Sequence, residues 1–173
     1  MRKLLPILAL ALASVAFAGE DSAAVKLNVA EAAAKAQSKD VLVIFHASWC
    51  HWCKKLDELI ANPKYSQIFQ DNYVIVHVDV LEQGDKKSLE TPGGAQLSTQ
   101  LGADGEGLPY TVCLSSKGQK LFDSEKSATK GSNIGYPSEP DEVTYFMAQL
   151  KKTAPRLTAA QASDLEAYLR AKS

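Results

Sequence analysis

Two cysteines stand in the stretch Trp49-Cys50-His51-Trp52-Cys53, separated by two residues, directly after a hydrophobic run and at the mouth of a helical pattern. Thiols at that spacing on the first turn of a helix face each other, so they can close into a disulfide or open to a dithiol without unfolding anything around them. The unpaired backbone N–H groups and the positive end of the helix dipole favour a thiolate at Cys50. Thiolate is the form that attacks disulfides, so the pair reads as a redox site, with Cys50 as nucleophile and Cys53 as the thiol that resolves the mixed disulfide. The competing structural reading is a fixed disulfide or two inert thiols. His51, as imidazolium, would favour the Cys50 thiolate and a more oxidising potential; as a solvated side chain it would do little. Trp49 and Trp52 can form an apolar docking surface around the sulfur. Trp49 can equally pack into the fold, and Trp52 is the better candidate for exposure.

The remaining chemistry-bearing residues read differently. Cys113 falls on a strand and is expected to be a buried small hydrophobe, with reachable-thiol chemistry as the alternative. His46 and His77 fall at strand positions, where satisfied core or edge histidines are commoner than ligands. Only one cysteine pair exists, whereas a structural zinc site usually takes four ligands, often from two pairs. Covalent haem needs a histidine after the second cysteine, and Lys54 stands there. No cofactor and no bound metal are implied.

The elements that must position the pair follow from pattern. Residues 41–45, Val-Leu-Val-Ile-Phe, make a strand without polar alternation, suited to burial on both faces. Before it, Asn28 with Glu31 three residues on predicts a capped helix over 29–38. After it, the helix carrying the cysteines runs to about residue 61. Asn62-Pro63 then restarts a helix, with Asn62 as cap and Pro63 at the first helical position. Residues 73–80 form a second strand, and the order strand–helix–strand implies a parallel pair with a crossover helix. A long polar loop is expected over 82–94, then a short helix over 95–101. Strands at 110–114 and 120–122 flank the turn at 116–118. A second long loop covers 124–140. Helices follow at 142–152, with Val143, Phe146, Met147 and Leu150 on one stripe, and from Thr158, boxed by Gln161, to about 171.

Composition bounds the whole. The chain has 173 residues, 46% hydrophobic, and a formal net charge of −1, which fits one globular domain and not a disordered chain or a nucleic-acid binder. Residues 1–18 stand apart: Arg2 and Lys3 precede an apolar run over 4–17, and Ala16-Phe17-Ala18 offers a small-x-small cleavage site. This is the pattern of a secretory signal peptide, whose removal leaves 19–173 as the mature domain. Loss of its two basic residues takes the net charge from −1 to −3. An uncleaved membrane anchor is the competing reading, although the run is short for a bilayer and contains Pro6. Export to the periplasm or the exterior suits the cysteines, because disulfides persist there.

The chain resembles the thioredoxin superfamily, and within it the exported thioredoxin-like proteins. The likeness rests on the strand entering Ala47-Ser48-Trp49-Cys50-His51-Trp52-Cys53-Lys54, on the next strand at 73–80, and on Gly107-Leu108-Pro109 in place of the family's Gly-x-Pro. The strand–turn–strand around Lys117-Gly118 completes it. It spans about residues 25–150. The resemblance implies a thioredoxin-like α/β fold: a central mixed sheet of four to five strands flanked by helices, here with an added C-terminal helix. It implies a cis Pro109 beside the cysteines, keeping substrate backbone near the reactive sulfur and discouraging metal, with Leu108 next to it. Two departures stand out. His51-Trp52 replaces the Gly-Pro of thioredoxin, and Ile44 occupies the place of the buried aspartate that relays protons to the second cysteine.

The leading function is therefore an exported thiol–disulfide oxidoreductase acting on protein thiols and disulfides, with a redox partner protein and without nucleic-acid or stable membrane contacts. Oxidant, reductant and isomerase share these residues; His51 leans toward oxidant, and a small single domain leans away from isomerase. A metal-binding or metal-delivery protein using the cysteine pair and a histidine is one alternative. A non-catalytic binding module on the same fold is the other. Metal analysis and thiol trapping, respectively, separate them from the first.

Overall fold

The computed structural model describes residues 21–129 and 131–172. The expected signal peptide, 1–18, lies outside them. Four strands, β1 (Asp40–His46), β2 (Tyr73–Asp79), β3 (Tyr110–Leu114) and β4 (Lys120–Asp123), form one sheet in the order β2-β1-β3-β4. β1 and β2 are parallel, with Asp40 opposite Tyr73 and His46 opposite Asp79, while β3 runs antiparallel to both β1 and β4. The parallel pair is joined through helices α2 (His51–Ile60) and α3 (Ser66–Asn72), as the element order predicts.

Strand alternation divides the core in two. Val41, Val43, Phe45, Val76, Val78 and Val112 face one side, against α1 (Ala23–Gln37) and α4 (Gly94–Leu101). Leu42, Ile44, Tyr73 and Cys113 face the other, where α2, α3, α5 (Pro140–Thr153) and α6 (Ala159–Arg170) cover them. Both faces of β1 are thus dry, which is why its sequence shows no polar alternation. The result is the mixed sheet, flanking helices and added C-terminal helix expected of a thioredoxin-like fold.

Several local expectations are corrected. α1 begins six residues before Val29, because Ser22 rather than Asn28 is the N-cap and its side chain accepts from the Val25 N–H. Asn28 lies on the exposed face inside the helix. Asn62 does not cap α3: its Oδ1 accepts from the Lys64 N–H at 2.9 Å, closing a turn two residues long, and the helix starts only at Ser66. The polar loop at 82–94 contains a 3-10 helix, Gly84–Leu89, too short to leave a periodic signal. The 124–140 loop folds back on itself through an antiparallel bridge between Glu125 and Asn133. α5 starts at Pro140 instead of Glu142, capped by a reciprocal Glu139–Glu142 box. On its stripe Val143, Met147 and Leu150 are buried and Phe146 is partly so. The Thr158–Gln161 box opens α6 as expected.

Candidate functional site

β1 ends at His46 and the chain turns through Ala47-Ser48-Trp49 into α2, whose N-cap is Cys50. The Cys50 backbone is extended there, and its sulfur accepts the Cys53 N–H at 3.1 Å, doing for the helix end what a serine or aspartate cap does. Cys50 and Cys53 are joined in a disulfide, S–S 2.12 Å, with Cα atoms 5.3 Å apart. Their residues are only 3% and 2% exposed, and Ala47 and Leu108 pack against them. The Leu108–Pro109 peptide is cis. The turn carrying the cysteines therefore meets the loop before β3, although almost sixty residues separate them in sequence.

The aromatic residues frame the pair, and both expose 48% of their surface. Trp49 is nonetheless anchored, its indole N–H donating to the Leu81 carbonyl at 2.8 Å. Trp52 stacks on Tyr136, rings 6.0 Å apart and 15° from parallel, and meets the His51 ring edge-on at 5.5 Å. Trp52, Leu108, residues 133–136 and Ser138 line an open cleft of about 230 Å³.

Two segments hold this arrangement from either side; both belong to the long polar loops at 82–94 and 124–140, which the sequence offers as candidates for shaping access to the cysteines without naming the residues that do so. Glu82 is buried, and its carboxylate accepts the Ser48 N–H at 2.6 Å and the Ser48 hydroxyl at 2.8 Å. These bonds, the backbone one foremost, hold the Glu82 carboxyl below the usual range against the opposing effect of desolvation. Leu81 adopts a left-handed φ of 56°, a conformation unusual for a large side chain, which accompanies the turn that brings Glu82 onto Ser48. On the other side Asn133 donates through Nδ2 to the carbonyls of Gly107 (2.7 Å) and Pro109 (3.1 Å). Gly135, at φ 56°, leaves room there: a Cβ on it would stand 3.4 Å from Pro109 Cδ.

The other chemistry-bearing residues lie apart or below. Cys113 is a free thiol in the apolar core on β3, paired with Leu42, and burial pushes its thiol up to about 12. His46 and His77 share the α2 side of the sheet. His77 Nε2 is 3.0 Å from Asp57 Oδ1, His46 Nε2 is 3.3 Å from Asp79 Oδ1, and the two rings are 4.9 Å apart.

A mixed sheet covered by helices on both faces, with a disulfide at a helix N-terminus beside a cis-proline loop, defines the thioredoxin class of proteins. A family model described as thioredoxin-like matches residues 23–114, more than half of the chain, and the protein belongs to that family. Among solved structures, a disulphide isomerase from Xylella fastidiosa Temecula1 is similar at 21% identity and a TM-score of 0.50, over 95% of this chain and 99% of that one. A DsbH oxidoreductase matches at 21% identity and a TM-score of 0.47, over 75% and 82% of the two chains. A thioredoxin from Thermus thermophilus matches at 20% identity and a TM-score of 0.47, over 74% and 83%. No curated protein matches the chain.

Proposed function

We propose that this protein is an exported thiol–disulfide oxidoreductase that exchanges disulfides with protein substrates through Cys50 and Cys53. The observation that carries the reading is the Cys50–Cys53 disulfide at the start of α2, with Leu108 of the cis-proline loop packed on it. Cys50 is the sulfur attacked by a substrate thiolate when oxidised, and the attacking thiolate when reduced. Its place at the helix N-terminus favours that ionised form. Cys53, one turn into the helix and buried, resolves the mixed disulfide. Trp49, His51 and Trp52 line the approach, and Leu108 and Pro109 guide substrate backbone past the sulfur. Export rests on the basic–apolar–small pattern of residues 1–18, and no helix among the described residues is long and apolar enough to cross a membrane. A redox partner protein then restores the pair after each turnover.

The test is substitution followed by trapping. Cys50→Ser is expected to abolish exchange with a model protein disulfide, and Cys53→Ser to accumulate mixed disulfides visible on non-reducing gels. Exchange by Cys50→Ser at the wild-type rate would overturn the assignment.

A further inference from the structure

The two edges of the sheet are finished differently. β4 is 4 residues long, has Lys120 and Asp123 at its ends, and shifts register against β3 between Cys113 and Leu114. Short length, charge and an irregular ladder are devices that keep a strand edge from pairing with another chain. β2, at the opposite edge, runs in unbroken register against β1 over 7 residues with neither lysine nor proline, and its one carboxylate, Asp79, stands at the end. Among the described residues only β1 pairs with it as a strand.

The bonds around β2 show which of its backbone groups are free. In a parallel ladder alternate residues bond the neighbouring strand, and the residues between them point away from it. The Val80 N–H donates to the His46 carbonyl at 2.9 Å, so Val74, Val76 and Val78 are the residues turned to β1. Asp79 is turned outward: its N–H donates to Thr91 Oγ1 and its carbonyl accepts the Thr91 N–H, both at 3.0 Å. Tyr73 donates its N–H to the Phe69 carbonyl. Between these two, Ile75 and His77 direct their N–H and C=O groups out of the sheet edge, where no hydrogen bond among the described residues uses them. Beside them, on the α1 side, an open groove of about 490 Å³ is lined by Val25, Lys26, Val29, Ala30 and Ala33 and by residues 74–77. Val29 is 63% exposed there.

We propose that this edge is a dimer interface, at which β2 pairs antiparallel with β2 of a second copy about a two-fold axis at Val76. In that register each Ile75 stands opposite the second copy's His77 and the two exchange N–H···O bonds in both directions, so the free groups of the two copies satisfy one another. On the α1 face Val76 meets Val76 and Val74 meets Val78, so the opposed side chains are apolar throughout. A two-fold axis at Ile75 would set His77 against Tyr73, whose N–H is already bonded to Phe69. Val25 and Val29 of the two α1 helices then cover the groove that a single copy leaves open. The start of the chain does not supply that cover. The Ala23 N–H donates to the Pro92 carbonyl, which fixes where α1 begins. Leader removal leaves only Gly19 and Glu20 ahead of Asp21, a reach of about 7 Å against about 13 Å from Val74 to Val78. The cysteine turn follows the end of β1 and takes no part in the pairing, which stands or falls apart from the oxidoreductase reading.

The experiment is sedimentation of the purified protein from about 1 μM to about 1 mM, with amide hydrogen exchange followed residue by residue at both ends of that range. The expected result is a monomer–dimer equilibrium in which the Ile75 and His77 amides gain protection only as the dimer forms, while the Val76 amide, bonded to β1, is protected throughout. Val29→Lys, at an exposed helix position, places a charge in the interface and should weaken the dimer about tenfold or more while leaving the melting temperature of the monomer unchanged. Ile75→Pro removes one N–H per copy from the interface and none from the β1 ladder, and should weaken it likewise. Where that variant fails to fold, Val29→Lys decides. A protein that stays monomeric up to about 1 mM overturns the proposal. So does a dimer that Val29→Lys leaves unmoved or that forms without protecting Ile75 and His77, which marks another face. Protection of those two amides at every concentration also overturns it, since the chain's own residues then cover the edge.

Discussion

Cys53 and Cys113 are equally buried cysteines in one domain, on the same side of the same sheet, and they are built for opposite behaviour. Cys53 sits on the first turn of a helix, bonded to the sulfur that caps it. Cys113 is on a central strand in the apolar core, and burial, reinforced by Asp40 and opposed by Thr153, pushes its thiol far toward the protonated form. The comparison teaches that burial does not decide whether a cysteine reacts. On the proposed oxidoreductase reading, neighbouring backbone N–H groups and a partner sulfur at the right spacing decide it.

The largest effect expected from breaking this contrast is the loss of exchange in Cys50→Ser, set against Cys113→Ala, which should keep exchange within about twofold of wild type since nothing near the site changes. In the same vein, alkylation of the reduced native protein should modify Cys50 readily and Cys113 only in denaturant, as counted by intact-protein mass. Next comes the Glu82 clamp. Glu82→Gln should slow exchange severalfold and lower the melting temperature at neutral pH, read by single-turnover kinetics and calorimetry. A carboxylate whose folded pKa is depressed stabilises above its unfolded value and loses that contribution as pH falls. The melting difference between wild type and Glu82→Gln should therefore shrink below about pH 4. Removing the Trp52 stack with Tyr136→Ala should weaken capture of protein substrates more than of a small disulfide, by about 1 kcal/mol in kcat/KM. The smallest expected effect is the stability cost of Cys113→Ala, about 1 kcal/mol for a small buried side chain, measured by urea unfolding.

The part of the molecule legible in sequence is the part governed by local rules. The unalternating run at 41–45, the helix after the cysteines, the strand at 110–114 and the Thr158–Gln161 box all carry their signal within a few residues. Gly107-Leu108-Pro109 was legible through its resemblance to a known pattern, not through any propensity of its own. What could not be read is what depends on distant partners. Ser48 and Glu82 are 34 positions apart, and Asn133 reaches Pro109 across 24. Asn62 looked like a helix cap because the same side chain serves a two-residue turn equally well. The stretch at 22–24 was missed as the start of α1 because Asn28-x-x-Glu31 imitates a capping box inside the helix. The histidines at 46 and 77 were read as ordinary strand residues, and only the parallel register of β1 and β2 brings them together over Asp57.

The most direct test of the central claim is the reduction potential of the Cys50–Cys53 pair in glutathione buffers, with Cys113 replaced by alanine. A helix-start pair of this kind is predicted to show one reversible two-electron transition, between about −120 and about −270 mV, the range spanned by donors of disulfides and by reductants. A disulfide that does not exchange reversibly across that range would leave the fold as described and contradict the redox function.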